Sequence, residues 1–319
     1  MEVKIMRKLK LGIIGSGIAV KELHLPALKT LNTLYEIKAI SSRNIDHAKS
    51  LANECGSDVV AFDDPSKMTD IEVVDIAIPV NLNYDMIKIA FENGWDVICE
   101  KPIAENTHSA RKILELHEKY PQRILYIAES HRHDPAIKVI KDHLSEIGNI
   151  AFFDYRLVIP TKDSKYAKTE WRKHPAHVGG FLSDGGVHHV AFLNAIFGKY
   201  LSVGGFTKQI SDFTDAYDTM IMNIKYEKAF GTYSVTYAPD YRENEFSIYG
   251  FLGFLKMKDS KVTVVKGNDI KEYPIPPTNF FVEEFKDFYN CVVNRQKPVL
   301  GDPYLAFTDL EMIEKVINL

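Results

Sequence analysis

An aspartate and a histidine in the middle of the chain have the residue types and the spacing of an acid/base pair. Asp184 and His188 are four residues apart in a segment with a helical pattern that extends to Phe197. Residues four apart on a helix share one face, so both side chains would face the same space. An imidazole titrates near neutral pH and can accept a proton from a hydroxyl group. In the structural alternative, Asp184 caps the helix amino terminus and His188 is a partly buried histidine with satisfied ring nitrogens.

A lysine at the end of a predicted strand is the second candidate for chemistry. Lys101 follows the apolar strand pattern of Trp95–Cys99 and directly precedes Pro102. Ligands of parallel sheets bind beyond the carboxyl ends of the strands, so this ammonium would lie near a ligand crevice. A cis bond between Lys101 and Pro102 is compatible with the small trans preference before proline. The alternative is a turn that ends the strand and leaves the ammonium in water.

The elements that must position these side chains begin with a glycine-rich segment near the amino terminus. Lys10–Ile14 predicts a buried strand, Gly15–Gly17 predicts a tight turn, and a helix is expected from about Ile18. In a dinucleotide-binding segment the first glycine makes the turn, and the second lets the backbone approach a pyrophosphate at the helix amino terminus. The third position of the Gly-x-Gly-x-x-Gly pattern is Val20, so the match is incomplete. An ordinary glycine turn is the alternative.

The second predicted strand is Tyr35–Ile40, and the residues after it indicate whether the domain binds NAD or NADP. A domain that selects NAD usually places an acidic residue there to bind the ribose 2′-hydroxyl. This chain has Ser41, Ser42 and Arg43 instead. Hydroxyl and guanidinium groups suit a 2′-phosphate, because guanidinium binds phosphate with paired, charge-assisted hydrogen bonds. The sequence therefore favours NADP; in the alternative, Arg43 is solvated, Asp46 takes the role of the acid, and the cofactor is NAD.

Composition excludes several classes of protein. The 319 residues are 45% hydrophobic, which is enough for two packed domains, and they carry 39 basic and 43 acidic side chains. No basic run stands out, so nucleic acid is not an expected partner. No signal-peptide core and no apolar run of membrane-spanning length is visible, so we expect a cytoplasmic protein without a membrane partner. Cys55, Cys99 and Cys291 are far apart and form neither a disulfide framework nor a thiolate metal motif.

Strand and helix patterns predict two domains of different kinds. In the first part of the chain strands alternate with helices, as a doubly wound parallel sheet requires. The apolar run Val73–Ile78 is typical of a strand covered on both faces, and Pro79 lies beyond its carboxyl end. Later strands are joined by short turns, which indicates antiparallel neighbours. The predicted fold is α/β, with a Rossmann domain over residues 1–126 and an α+β domain with a largely antiparallel open sheet over residues 127–319.

One strand of the second domain predicts self-association. Ala229–Tyr237 alternates between large side chains such as Tyr233 on one face and hydroxyl side chains such as Thr232 on the other. If helices cover only one face of this sheet, the other face is left for a second copy of the chain. A homodimer or homotetramer through the sheet is therefore expected.

Several short motifs occur together over nearly the whole chain. They are Gly15-Ser16-Gly17 with His24-Leu25-Pro26-Ala27, Glu100-Lys101-Pro102, Arg132 with Pro135, Trp171-Arg172, Gly179-Gly180, and Asp184-Gly185-Gly186-Val187-His188. With them the chain resembles the glucose-fructose oxidoreductase, inositol dehydrogenase and MocA-like (Gfo/Idh/MocA) oxidoreductases. The Glu-Lys-Pro element followed by Asp-x-Gly-x-His is more specific than any single motif. Val20 departs from the family's small third residue, and Val80 and Asn83 stand where the family often has asparagine and histidine.

The resemblance implies hydride transfer between a nicotinamide and a CH–OH group of a sugar, polyol or related diol. It implies that His188 is the general base, that Lys101 donates to the reacting oxygen, and that Asp184 orients His188 or binds a neighbouring hydroxyl. Cofactor contacts are predicted for Gly15, Ser16, Gly17, Ile18, Ala19, Ser41, Ser42, Arg43, Pro79, Glu100 and Lys101. Substrate contacts are predicted for Lys101, Arg132, Tyr155, Trp171, Arg172, Asp184 and His188, with Arg156 and His189 as further candidates.

Three other functions remain open at this point. A zinc site is compatible with a cluster of side chains that lie close in sequence, namely His174, His177, Asp184, His188 and His189. No cysteine joins that cluster, and the resemblance implies no metal. A nucleotide-sensing regulatory protein could keep the fold without turnover, although it would be expected to have lost at least one of the three catalytic residues. The motifs alone also allow a nicotinamide-assisted glycosidase.

Overall fold

The computed structural model describes residues 7–319, and the chain divides into two units. The first unit is the chain up to Ser130 together with Asn279–Phe307, and the second is His131–Thr278 together with Thr308–Leu319. The predicted division has a single boundary after residue 126. The observed division differs, because the chain returns to the first unit near its carboxyl end. Helix α9 (Phe280–Asn294) makes that return and buries phenylalanines in the core of the first unit. Its aromatic spacing predicts a buried helix but does not indicate which core receives it.

The first unit is built on a six-stranded parallel sheet, which confirms the predicted Rossmann architecture. In sheet order its strands are β3 (Val60–Phe62), β2 (Tyr35–Ser41), β1 (Leu9–Ile14), β4 (Val73–Ile76), β5 (Asp96–Glu100) and β6 (Leu125–Ala128). Every residue of β4 is buried, as its continuous apolar pattern predicts. The strand order reverses between β1 and β4, and dinucleotides bind at such a switch point.

Helices connect the strands of this sheet. They are α1 (Leu25–Thr30), α2 (Ile45–Cys55), α3 (Asn83–Glu92) and α4 (Thr107–Lys119). A π-helical turn over Val20–His24 leads into α1, and residues 18–19 are already helical, so the helix starts at the predicted position. Val20 is fully buried among the apolar side chains of this unit. The third position of the glycine pattern is therefore filled here by a packing residue.

The second unit contains an eight-stranded, mostly antiparallel sheet, as predicted. In sheet order its strands are β14 (Asp269–Pro274), β13 (Lys261–Lys266), β12 (Gly253–Lys258), β11 (Glu243–Gly250), β7 (Ile150–Val158), β10 (Phe230–Thr236), β9 (Thr219–Tyr226) and β8 (Tyr200–Lys208). Strands β7 and β10 pair in parallel and the other neighbours pair antiparallel. The sequence patterns do not predict the two edge strands, because β8 contains a Gly-Gly pair and β14 is almost entirely exposed.

Within residues 7–319, helices of the second unit bury one face of its sheet. They are α5 (Pro135–His143), α6 (Glu170–Lys173), α7 (Phe181–Asp184), α8 (Gly186–Phe197) and the carboxyl-terminal α10 (Pro303–Ile317). On β10, Tyr233 and Val235 are buried in the core with side chains of α8, whereas Thr232 and Ser234 on the other face are only half-buried. Within residues 7–319, no helix is both long enough and apolar enough to cross a bilayer.

Candidate active site

The glycine turn after β1 has the shape that a pyrophosphate requires. Gly15 has φ +127°, and a Cβ added to it would lie 2.2 Å from the carbonyl oxygen of Ala77, so only glycine fits there. A Cβ added to Gly17 would have no heavy atom within 4 Å. The turn is therefore tight on the side of the sheet and open at the start of the helix. Backbone N–H groups at a helix amino terminus bind anions, so the residues present fit a dinucleotide.

The end of β2 lies beside this turn. Ser41 is buried, and the hydroxyl oxygen of Ser42 lies 2.9 Å from that of Ser16 on the glycine turn. Arg43 follows and is exposed to solvent. The predicted serines and arginine are thus brought next to the predicted pyrophosphate site.

Asp46, the acidic residue that could select NAD in place of Arg43, lies further along the chain at the start of α2. Asn44 caps α2, since its side-chain oxygen accepts a hydrogen bond from the Asp46 amide at 2.9 Å. This cap places Asp46 in the first turn of the helix. Its exposed carboxylate lies 4.0 Å from the ammonium of Lys49. The geometry of the loop thus presents a guanidinium rather than a carboxylate directly after the strand.

The backbone around Lys101 is anchored on both sides. The Lys101–Pro102 peptide bond is cis, in agreement with the sequence analysis. The side-chain amide of Asn83 donates to the carbonyl oxygens of Pro102 at 3.2 Å and of Ile103 at 3.3 Å. The Lys101 amide donates to the Glu100 carboxylate at 3.1 Å. Asn83 stands where the family often has histidine. Its buried side chain stabilises the loop that carries Lys101 through these hydrogen bonds.

A buried histidine holds the carboxylate that receives the Lys101 amide. The Nδ1 atom of His24 lies 2.8 Å from a carboxylate oxygen of Asp75, and its Nε2 atom lies 2.8 Å from Oε1 of Glu100. Burial alone lowers the pKa of His24, but the two carboxylates outweigh burial and raise the pKa well above its ordinary value. The two acids therefore favour the imidazolium form, which can donate to both of them. In the sequence, His24 stands out only as part of the motif His24-Leu25-Pro26-Ala27.

A second acid lies in the same region of the first unit without hydrogen bonds. Glu284 of α9 is 1% exposed, and neither of its carboxyl oxygens has a hydrogen-bond partner among residues 7–319. Burial, followed by the negative charge of Glu100, raises the pKa of Glu284 well above its ordinary value. Burial therefore favours the neutral form of Glu284. The helical pattern of α9 gives no sign of this acid's position, because it predicts only a buried face.

In the second unit, Asp184 is held by an arginine stacked on a tryptophan. Its carboxylate accepts a hydrogen bond from Nε of Arg172 at 2.7 Å. The Arg172 guanidinium carbon lies 3.9 Å from the ring centroid of Trp171. The structure thus brings three predicted substrate residues together. Asp184 does not cap α8: that position belongs to Gly185, without a side-chain hydrogen bond, so the capping alternative is wrong.

His188 lies half-buried on α8, next to a histidine that the sequence analysis does not name. The ring centroids of His188 and His131 are 4.2 Å apart in an edge-to-face arrangement. The next residue, His189, places Nδ1 2.7 Å from the hydroxyl oxygen of Tyr233. Tyr155 packs against His189 in the core and is 5% exposed, and burial raises its pKa well above the ordinary value. Tyr155 is therefore a core side chain, and the half-buried His189 packs against it.

Two predicted arginines are bound to acids elsewhere in the second unit. Arg132 is buried and forms an ion pair with Asp309 of α10. Arg156 is half-exposed and forms ion pairs with Asp154 at 3.1 Å and Glu243 at 3.4 Å. The acid that binds Arg132 is 177 residues away in sequence, so no local pattern indicates it. The substrate contacts of both arginines stay predictions.

The histidines considered as zinc ligands bind separate protein groups. His174 lies 2.5 Å from the carboxylate of Asp215, and Nε2 of His177 donates to the carbonyl oxygen of Gly180 at 3.1 Å. His189 lies against Tyr233, as described above. These three histidines therefore have separate partners, and the fourth, His188, lies beside His131, as described above.

Comparison with known proteins agrees with the fold and the motifs. Residues 9–127 match the family model "Oxidoreductase family, NAD-binding Rossmann fold", and residues 141–256 match the "GFO/IDH/MocA C-terminal domain". The crystal structure of an oxidoreductase (TM0312) from Thermotoga maritima has a TM-score of 0.92 and 36% identity, with 98% of this chain and 96% of that chain covered.

Two further relatives span almost the full length. The uncharacterized protein YMR315W of Saccharomyces cerevisiae is 29% identical over 338 residues, which cover 98% of this chain and 96% of that protein. A levoglucosan dehydrogenase in complex with NADH and levoglucosan shares the fold at 20% identity, with a TM-score of 0.83 and coverage of 98% and 97%. Since the two family models together match most of the sequence, the chain belongs to the Gfo/Idh/MocA family of oxidoreductases.

Proposed function

We propose that this protein is an NADP(H)-dependent oxidoreductase that transfers a hydride between the nicotinamide and a CH–OH group of a sugar, polyol or related diol. The observation that carries the proposal is the anchored backbone of Lys101 at the carboxyl edge of the Rossmann sheet. The buried amide of Asn83 and the half-buried carboxylate of Glu100 fix the backbone on both sides of Lys101, which holds this lysine at the edge where ligands of such sheets bind. The levoglucosan dehydrogenase with the same fold, solved with a sugar substrate, supports the substrate class.

The proposed mechanism assigns one task to each catalytic side chain. When bound, the nicotinamide supplies the acceptor or donor of the hydride. His188 accepts the hydroxyl proton in oxidation and returns it in reduction, a contribution of about 10²- to 10⁴-fold. Lys101 donates a hydrogen bond to the reacting oxygen and stabilises the charge that grows on it. Arg172 holds the carboxylate of Asp184, which in turn positions His188 or binds a neighbouring substrate hydroxyl.

The test of this function is an absorbance assay for reduced nicotinamide. The protein is incubated with NADP or NAD and a panel of aldoses, inositols and diols, with aryl glycosides included. We expect reduction with at least one sugar or polyol and a preference for NADP. Cofactor binding without turnover of any substrate would favour the nucleotide-sensing alternative, and cleavage of a glycoside without net reduction would favour the glycosidase.

The cofactor preference predicts the effect of an arginine substitution. We expect Arg43→Ala to raise the KM for NADP by about 10- to 100-fold, because one charge-assisted hydrogen bond to a phosphate is lost. The KM for NAD should change little. Steady-state kinetics with both cofactors measure this difference. Asp46→Asn is the matched control: if that variant loses NAD-dependent activity while Arg43→Ala keeps its use of NADP, the cofactor is NAD.

We also propose that two or more copies associate through the uncovered face of the second sheet. This face exposes large apolar side chains on neighbouring strands, including Phe206 on β8, Ile221 on β9 and Phe230 on β10. A groove of about 840 Å³ crosses it and is lined by Phe152 and Phe230, among others. Contiguous exposed apolar surface of this kind marks association sites, and a second copy is the occupant that the sequence analysis predicts.

Light scattering at micromolar concentration tests this association. We expect the mass of a dimer or tetramer for the unaltered protein and a shift toward the monomer for Phe230→Lys. Tyr241→Lys is a matched control, since Tyr241 is 61% exposed against 60% for Phe230 but lies outside the strands. A monomeric mass for the unaltered protein, or an equal shift in both variants, would contradict the proposal.

A further inference from the structure

We propose that His24 is a positioning residue: it holds Glu100, and through Glu100 the backbone of Lys101, in place for the hydride transfer proposed above, on which this inference rests. The two oxygens of the Glu100 carboxylate have different partners. One lies 2.8 Å from Nε2 of His24, and the other accepts the Lys101 amide at 3.1 Å. The orientation of the lysine backbone and the position of the imidazole are thus linked through a single side chain.

His24 also contacts an acid in the centre of the parallel sheet. Asp75 lies on β4 and is fully buried, and one of its oxygens is 2.8 Å from Nδ1 of His24. Its other oxygen has no hydrogen-bond partner among residues 7–319. A neutral imidazole has one N–H donor, whereas two carboxylates require two donors. With both acids ionised, the arrangement therefore needs an imidazolium, and removal of its charge would leave the buried Asp75 and the half-buried Glu100 without a compensating charge.

The groups around His24 favour this charge state. Asp75 faces the ring from β4, and Glu100 faces it from the end of β5. From α9, the rings of Phe281 and Phe285 lie 6.1 Å and 5.5 Å from the imidazole, measured between centroids. Glu284 also lies on α9, and burial raises the pKa of its carboxyl group, which disfavours a third negative charge near the ring. Apolar rings thus pack on the imidazole from α9, and its two nitrogens face the two carboxylates.

The kinetic test compares three substitutions. We expect His24→Gln to lower kcat by about 100-fold, the size of effect that a misplaced catalytic group produces. Asp75→Asn keeps the shape of the site and should lower kcat by a smaller factor. His108→Gln, at an exposed position of α4, is the control and should keep full activity. The dissociation constant for NADP should stay unchanged in all three, because the glycine turn is intact.

The spectroscopic test reads the charge of the ring directly. In protein labelled with ¹⁵N-histidine, the His24 signals are those that disappear in His24→Gln. We expect both ring nitrogens to be protonated at about pH 8, well above the ordinary histidine pKa of about 6.5. In Asp75→Asn, the imidazolium should lose its proton at lower pH. A neutral His24 ring at that pH in the unaltered protein would overturn the inference.

The two tests separate this inference from the proposed function. If the unaltered protein turns over no substrate, the proposed function and the positioning role both fail, while the nuclear magnetic resonance data still decide whether His24 is charged. If the unaltered protein is active and a folded His24→Gln variant retains its kcat, only the positioning role fails. Should His24→Gln not fold, the same comparison is made with Asp75→Asn, and an unchanged kcat in that variant contradicts the proposal.

Discussion

The Lys101→Met variant is expected to lose turnover by about 10²- to 10³-fold while it still binds NADP. This factor is the usual cost of removing one donor that stabilises charge on a reacting oxygen. Methionine matches the lysine stem in length and removes only the ammonium. The backbone anchors of residue 101 come from Asn83 and Glu100 and do not involve the lysine side chain. Binding and chemistry should therefore separate in this variant.

Steady-state kinetics and fluorescence titration with NADPH measure the two quantities. Lys112→Met is the matched control, because Lys112 is exposed on α4 and should tolerate the same exchange without loss of rate. A Lys101→Met variant with a nearly normal kcat would remove the lysine from the mechanism. Loss of NADPH binding together with turnover would assign the lysine to cofactor binding instead.

The second large effect is expected for His188→Asn. Loss of a positioned general base should lower kcat by about 10²- to 10⁴-fold and leave a pH profile without the limb that reports this base. Added imidazole should restore part of the rate, because it can replace the missing ring. His143→Gln is the control: this histidine of α5 lies 2.6 Å from the Glu146 carboxylate and has no proposed role in the reaction. If His188→Asn keeps both the rate and the pH profile of the unaltered protein, His188 is not the base.

The sequence predicts the elements that carry these residues because local patterns determine them. The continuous apolar run of β4, the strand that ends before Lys101 and the helix after the glycine turn each follow from a few neighbouring residues. The alternation of β10 likewise predicts that Tyr233 faces the core. The structure thus confirms the strands and the helix that were predicted from the periodicity of apolar residues.

Partners that are distant in sequence could not be predicted in the same way. Asn83 is 19 residues from the Pro102 carbonyl that it binds, and Arg132 is 177 residues from Asp309. A polar side chain in a sequence shows that it needs a partner, but it does not show which one. For this reason the ion pair of Arg132 with Asp309 does not follow from the sequence, whereas its substrate contact stays a prediction. The return of α9 to the first unit escaped prediction for the same reason.

The most direct test of the proposed function is transfer of an isotope label. A substrate found in the absorbance assay is prepared with deuterium on its reacting carbon and incubated with NADP, and the nicotinamide is analysed by mass spectrometry. The account predicts deuterium at C4 of the nicotinamide with the unaltered protein and almost none with Lys101→Met. Reduced nicotinamide without the label, or equal labelling with Lys101→Met, would contradict it.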